Sequence, residues 1–100
     1  MRYYPVVIVG FRSSETERIW AGYRSRRYPP DIQALALRKL RMLHAAGNIG
    51  DLRLPPGNRL ERLSGDRAGQ HSIRINEQWR ICFTWTIENN AADVEVVDYH

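Results

Sequence analysis

The spacing of apolar and polar positions changes period once along the chain, near residue 59. Before that point the pattern is helical, apart from one opening run. "YPVVIVGF", residues 4–11, is rich in β-branched side chains and predicts a strand ended at Gly10 or soon after. "SSETERIWAGY" follows, with Glu17 three positions after Ser14, a capping-box pattern that predicts a short helix. "RSRRY" then leads into Pro29 and Pro30, which stop a helix arriving from behind and fix the chain for the next one. Asp31 is placed to cap a second helix, along which Ile32, Leu35, Ala36, Leu40 and Leu43 recur at helical spacing until Gly47. "GNIGDLRLPPGN", with three glycines and two prolines, predicts a loop.

From residue 59 the period is two. "RLERL" predicts a short strand, "SGDRAGQ" a turn, "HSIRIN" a strand and "EQ" a tight connection. "WRICFTWTI" predicts a third strand, "ENNAA" a turn and "DVEVVDYH" the last strand. Arg74 lies between Ile73 and Ile75, and Arg80 between Trp79 and Ile81, so alternation puts both arginines on faces opposite their apolar neighbours. The elements imply a single α+β domain over residues 1–100, with two N-terminal helices on one face of a small, curved, mostly antiparallel sheet. Nothing in the pattern covers the other face. An open face carrying arginines is a place to bind something.

Charge sharpens that expectation. Of the 15 basic residues only Lys39 is lysine, and arginine pairs bidentately with phosphate and carboxylate. Residues 1–50 hold nine bases against three acids, and over residues 53–80 six arginines meet only Glu61, Asp66 and Glu77. Nucleic acid or an acidic protein partner fits this balance; so does ordinary solvated surface in an arginine-rich composition. Cys82 is the only cysteine and sits in an apolar run, which rules out an internal disulfide and a cysteine-built metal cluster. The opening apolar run is too short for a signal peptide or a membrane span, which points to a cytoplasmic protein. Phosphate loops, paired-cysteine spacings and serine elbows are missing from the sequence, so nucleotide hydrolases, zinc modules and serine hydrolases are set aside.

"GNRLERLSGDRAGQHSIRINEQWRICFTW" together with the terminal "VEVVDYH" resembles the HigB toxins, the plasmid-maintenance killer proteins of the RelE superfamily. The matching pattern covers about two-fifths of the chain. The resemblance implies a type II toxin of a toxin–antitoxin system: an endoribonuclease acting on messenger RNA in the A site of the 70S ribosome. It also implies a HigA-like helix-turn-helix antitoxin, through which alone operator DNA would be reached, and no cofactor, no metal and no membrane.

Such cleavage uses the ribose 2′-hydroxyl as nucleophile on the adjacent phosphorus. It needs a base for that hydroxyl, a cation for the charge developing on phosphorus and an acid for the leaving oxygen. His100 is the first candidate for acid or base, since imidazole titrates near neutrality and the terminal carboxylate beside it favours its charged form. Asp98 and Glu61 compete for the base; by alternation Asp98 shares a strand face with His100 while Tyr99 points the other way. Glu61 stands where many relatives place histidine, in "LERL" against "L-H-P-L". A carboxylate can act as a base there but cannot hold a positive charge against phosphate. Tyr99 can stack on a base or donate to phosphate, and Arg80 can reach a scissile phosphate. Arg62, Arg67 and Arg74 are candidates for RNA binding, and Arg24, Arg26 and Arg27 for ribosomal RNA or an acidic antitoxin surface. Two other readings remain. One is a non-catalytic RNA- or ribosome-binding module on the same fold; the other is a structural interaction protein that binds an acidic partner.

Overall fold

The computed structural model of the chain describes residues 7–99. Helix α1 spans Ser14–Trp20 and α2 spans Pro30–Ala45; the strands are β1 (Glu61–Arg62), β2 (Gln70–Arg74), β3 (Trp79–Trp85) and β4 (Ala91–Asp98). The strands form one antiparallel sheet in the order β1-β2-β3-β4. Both helices lie on one face of it. Ile32, Ala36, Leu40 and Leu43 form the buried stripe of α2 and meet Ile73, Ile81, Phe83, Val94 and Val96 from the sheet. Each of these side chains other than Ala36 contributes roughly 1.5–3 kcal/mol of burial, which anchors the helical layer.

The expected first strand lies partly outside the described residues. Within them, residues 7–12 run parallel to β4: Val9 N–H donates to Ala91 O at 2.9 Å and Arg12 N–H to Val94 O at 3.0 Å. Farther along the same edge, Val96 N–H donates to Thr16 Oγ1 at 2.9 Å, and the Tyr28 hydroxyl donates to Val96 O at 3.1 Å. The outer edge of β4 is therefore satisfied first by backbone and then by two side chains, which ties α1 and the segment before α2 to the sheet.

Local details differ from the sequence expectation. The cap of α1 is Ser13, not Ser14: its backbone is extended (φ −123°, ψ 127°) and its hydroxyl accepts from Thr16 N–H at 3.2 Å. Pro30 opens α2, where its missing N–H costs nothing, and Asp31 favours the first turn by charge without capping it. The helix ends at Ala45, and the expected loop holds two 3₁₀ turns, Ile49–Arg53 and Pro56–Asn58. Asn48 and Asp51 cap the first of these reciprocally. β1 keeps only two residues, and the β2–β3 connection takes four, with Asn76 Oδ1 accepting from the N–H groups of Gln78 and Trp79. β3 stops at Trp85, and β4 starts at Ala91 with a bulge in which Asp93 takes φ 53°. The bulge puts Ala91, Val94 and Val96 all on the core side while Glu95 stays off it.

Candidate functional site

On the face away from the helices, cross-strand register aligns Glu61 with Ser72, Ser72 with Cys82, and Arg74 with Arg80. Arg80 is only 7% exposed, and a charge so placed requires partners. Its Nε donates to Ser72 Oγ at 2.8 Å, and its Nη2 donates to the Arg59 carbonyl at 2.6 Å. Glu61 Oε1 lies 3.6 Å from Nη2, and the Tyr99 ring centroid lies 5.2 Å from Cζ, a cation–π separation. The sheet thus holds a flat guanidinium between a carboxylate and a phenol ring.

These partners differ in strength. Ser72 is fully buried and its hydroxyl is fixed on the neighbouring strand, whereas the Glu61 side chain is 47% exposed and beyond hydrogen-bond length. An exposed ion pair of this kind contributes up to about 1 kcal/mol, against about 1.5–3 kcal/mol for a buried hydrogen bond to a charged group. Glu61 is therefore the partner that an incoming anion displaces most easily. Ser72 was not among the sequence candidates, although its parity with Arg74 in "HSIRIN" is a signal that could have found it.

The remaining candidates are distributed unevenly. Tyr99, whose N–H donates to Gln78 O at 2.6 Å, lines a shallow pocket of about 280 Å³ with Glu61, Arg62, Asp66 and Arg67. Arg67 reaches over the sheet to Gln70 Oε1 at 3.0 Å and Glu95 Oε1 at 3.2 Å, so its charge is partly committed within the fold. Arg74 sits opposite Arg80 and donates to Asn76 O at 3.1 Å. Arg62 is exposed and pairs with His71, on the other parity of β1. Asp98 pairs with Trp79, shares its core-side parity and accepts from Gln78 Nε2 at 3.0 Å. Glu61, Arg80 and Tyr99 come together; Asp98 does not join them. His100 lies outside the described residues.

Burial, together with the Arg62 charge, holds the His71 imidazole below its ordinary value, and burial pushes the Cys82 thiol up. Among the described residues no group of three or more His, Cys, Asp or Glu side chains could hold a metal ion, and no helix is long and apolar enough to cross a membrane.

The family model for the RelE-like toxin of the type II toxin–antitoxin system HigB matches residues 10–100. The chain belongs to this HigB-like toxin family. Toxin HigB-1 of Vibrio cholerae serotype O1 is 48% identical over 62 residues, covering 62% of this chain and 65% of that protein. An uncharacterized protein of Haemophilus influenzae is 39% identical over 72 residues, or 72% of this chain and 69% of that one. The alignment thus spans just under two-thirds of the length of the Vibrio toxin.

Proposed function

We propose that this HigB-like chain is a cytoplasmic, ribosome-dependent mRNA endonuclease, silenced by a HigA-like antitoxin, with its reaction centred on Arg80. The observation that supports this reading is the Arg80 guanidinium, fixed from beneath by buried Ser72 and flanked by two exchangeable groups, Glu61 and Tyr99. In the proposed reaction the ribose 2′-oxygen attacks the adjacent phosphorus, a new O2′–P bond forms and the P–O5′ bond breaks. The products are a 2′,3′-cyclic phosphate and a 5′-hydroxyl. Glu61, displaced from Arg80 by the phosphate, takes the 2′-hydroxyl proton, and Arg80 offsets the charge developing on the phosphorane. His100 donates the proton that the 5′-oxygen needs, and Tyr99 stacks against a base, an interaction worth about 1–3 kcal/mol. Arg62, Arg67 and Arg74 add electrostatic attraction for the strand. Asp98 holds the end of β4 to the β2–β3 turn through Gln78.

Primer extension on a translated reporter mRNA, with and without ribosomes, tests this. Cuts are expected only with ribosomes and are expected to vanish with Arg80→Ala and His100→Ala. Glu61→Gln should retain ribosome binding and cut at least a hundredfold more slowly, given typical general-base contributions of about 10²–10⁴. Intact mRNA beside a folded, ribosome-bound wild-type protein would leave a binding module as the better account.

A further inference from the structure

Beside the Arg80 cluster, between the 3₁₀ turn at Ile49–Arg53 and β1, lies a second groove of about 650 Å³. It shares Glu61 and Arg62 with the Tyr99 pocket, so the two depressions adjoin along β1. Its floor includes Ile49 and Leu60, its rim carries Arg53, Arg59 and Arg62, and His71 completes the lining. Glu61 is the one acid among these lining residues. Apolar floor, neutral imidazole and arginine rim together match a base with its phosphate better than they match an acidic peptide.

The groove is built, not incidental. Asn58 is fully buried, and its amide donates to Leu52 O at 3.2 Å and Leu54 O at 3.3 Å while its Oδ1 accepts from Lys39 of α2. That hub fixes the wall of the groove to the helical layer. The next residue, Arg59, is held at φ 45°, ψ 55°, a left-handed conformation unfavourable for arginine. The same residue gives its carbonyl to Arg80 Nη2, so one strained residue links the groove to the candidate reaction centre. His71 Nδ1 is buried with no partner among the described residues, and its imidazole stacks on Phe83 at 6.3 Å.

We infer that this groove is a nucleotide subsite: it takes the base and phosphate of the RNA nucleotide next to the one whose phosphate meets Arg80, with Arg53 and Arg59 clamping that second phosphate. The inference rests on the proposed nuclease reading for the position of the first phosphate. Its probe is a fluorescein-labelled, 2′-O-methyl trinucleotide, which cannot be cleaved, set against a single nucleoside monophosphate.

Arg59→Asn keeps a residue that tolerates the left-handed conformation and keeps the carbonyl for Arg80, so the fold is retained; Arg53→Gln removes the other charge, and Arg53→Lys serves as rescue. Together the two neutral variants should weaken trinucleotide binding by about tenfold or more, and flatten its dependence on log salt by about 0.7, the contribution of the one phosphate that the two arginines clamp on a single strand. Monophosphate binding should stay unchanged, and Arg53→Lys should restore most of the salt slope. Trinucleotide affinity and slope equal to wild type in the double variant, or no trinucleotide binding by the wild type, would overturn the subsite. Ribosomal cleavage is read on the same proteins. Cleavage that persists while the double variant binds normally removes the subsite and spares the nuclease reading. Groove-dependent binding without cleavage by the wild type does the reverse.

Discussion

Replacing Ser72 with alanine should destabilise the protein more than replacing Glu61, although only Glu61 carries a charge opposite to that of Arg80. Ser72→Ala removes a 2.8 Å acceptor from the Nε–H of a guanidinium that is 7% exposed, with no solvent beside the fully buried serine to replace it. A hydrogen bond to a charged group contributes about 1.5–3 kcal/mol, and an unsatisfied buried donor costs a similar amount. Taking about 2 kcal/mol, the melting temperature of a domain this size should fall by roughly 10 °C. Glu61→Ala breaks a contact of 3.6 Å to a side chain that is nearly half exposed, for which about 0.2–1 kcal/mol is appropriate. Urea unfolding of both variants beside wild type, monitored by tryptophan fluorescence, gives the two differences directly. If Glu61→Ala costs as much as Ser72→Ala, or if Ser72→Ala lies within about 0.5 kcal/mol of wild type, Arg80 is held by the carboxylate and the proposed exchange of Glu61 for phosphate loses its basis.

Three further outcomes follow from the geometry. His71 is held below its ordinary value of 6.5 in the fold, so the unfolded chain binds more protons as pH falls from there; this part of the stability is present above pH 6.5 and lost toward the lower folded value. Urea midpoints at pH 7.5 and pH 5 should therefore drop more for wild type than for His71→Gln, and equal drops would refute the assignment. At the bulge of β4, Asp93 at φ 53° should accept glycine with little loss, while Asp93→Val should cost at least about 1–2 kcal/mol more than Asp93→Gly in the same melts. Cys82, fully buried and with its thiol pushed up, should resist a thiol reagent in the native state and react at once in urea; fast native labelling would contradict its place beneath the sheet face.

Much of this structure was legible in the sequence where one periodicity ran undisturbed. The stripe Ile32, Ala36, Leu40 and Leu43 and the alternation around Arg74 and Arg80 appear in the fold as expected, because burial on one face fixes both helix orientation and strand register. Ends and irregularities were harder to read. Ser13 and Ser14 are chemically equivalent caps, and only the extended backbone at Ser13 chooses between them. Asp93 carries no signature that separates a bulge from a regular strand start, and that bulge sets which β4 residues face the core. At the site, the grouping of Glu61 with Arg80 depends on β1 pairing with β2 so that Glu61 meets Ser72, a long-range register. Asp98 came forward as a base candidate from the terminal D-Y-H and its parity with His100; in the fold it pairs with Trp79 on the core side. Asn58 was read as loop and Arg59 as the start of a strand, since the tie between Asn58 and Lys39 exists only once α2 has docked.

The most direct test of the account is the chemistry of the cut ends. Reporter mRNA cleaved on the ribosome by the wild-type protein should be analysed by mass spectrometry for the groups on both new termini. A 2′,3′-cyclic phosphate, or the 3′-phosphate formed by its hydrolysis, facing a 5′-hydroxyl is the expected result, with both species lost in Arg80→Ala. A 5′-phosphate opposite a 3′-hydroxyl would mean that water or another nucleophile attacked the phosphorus, and the assignment of Glu61, Arg80 and His100 to 2′-hydroxyl chemistry would fall.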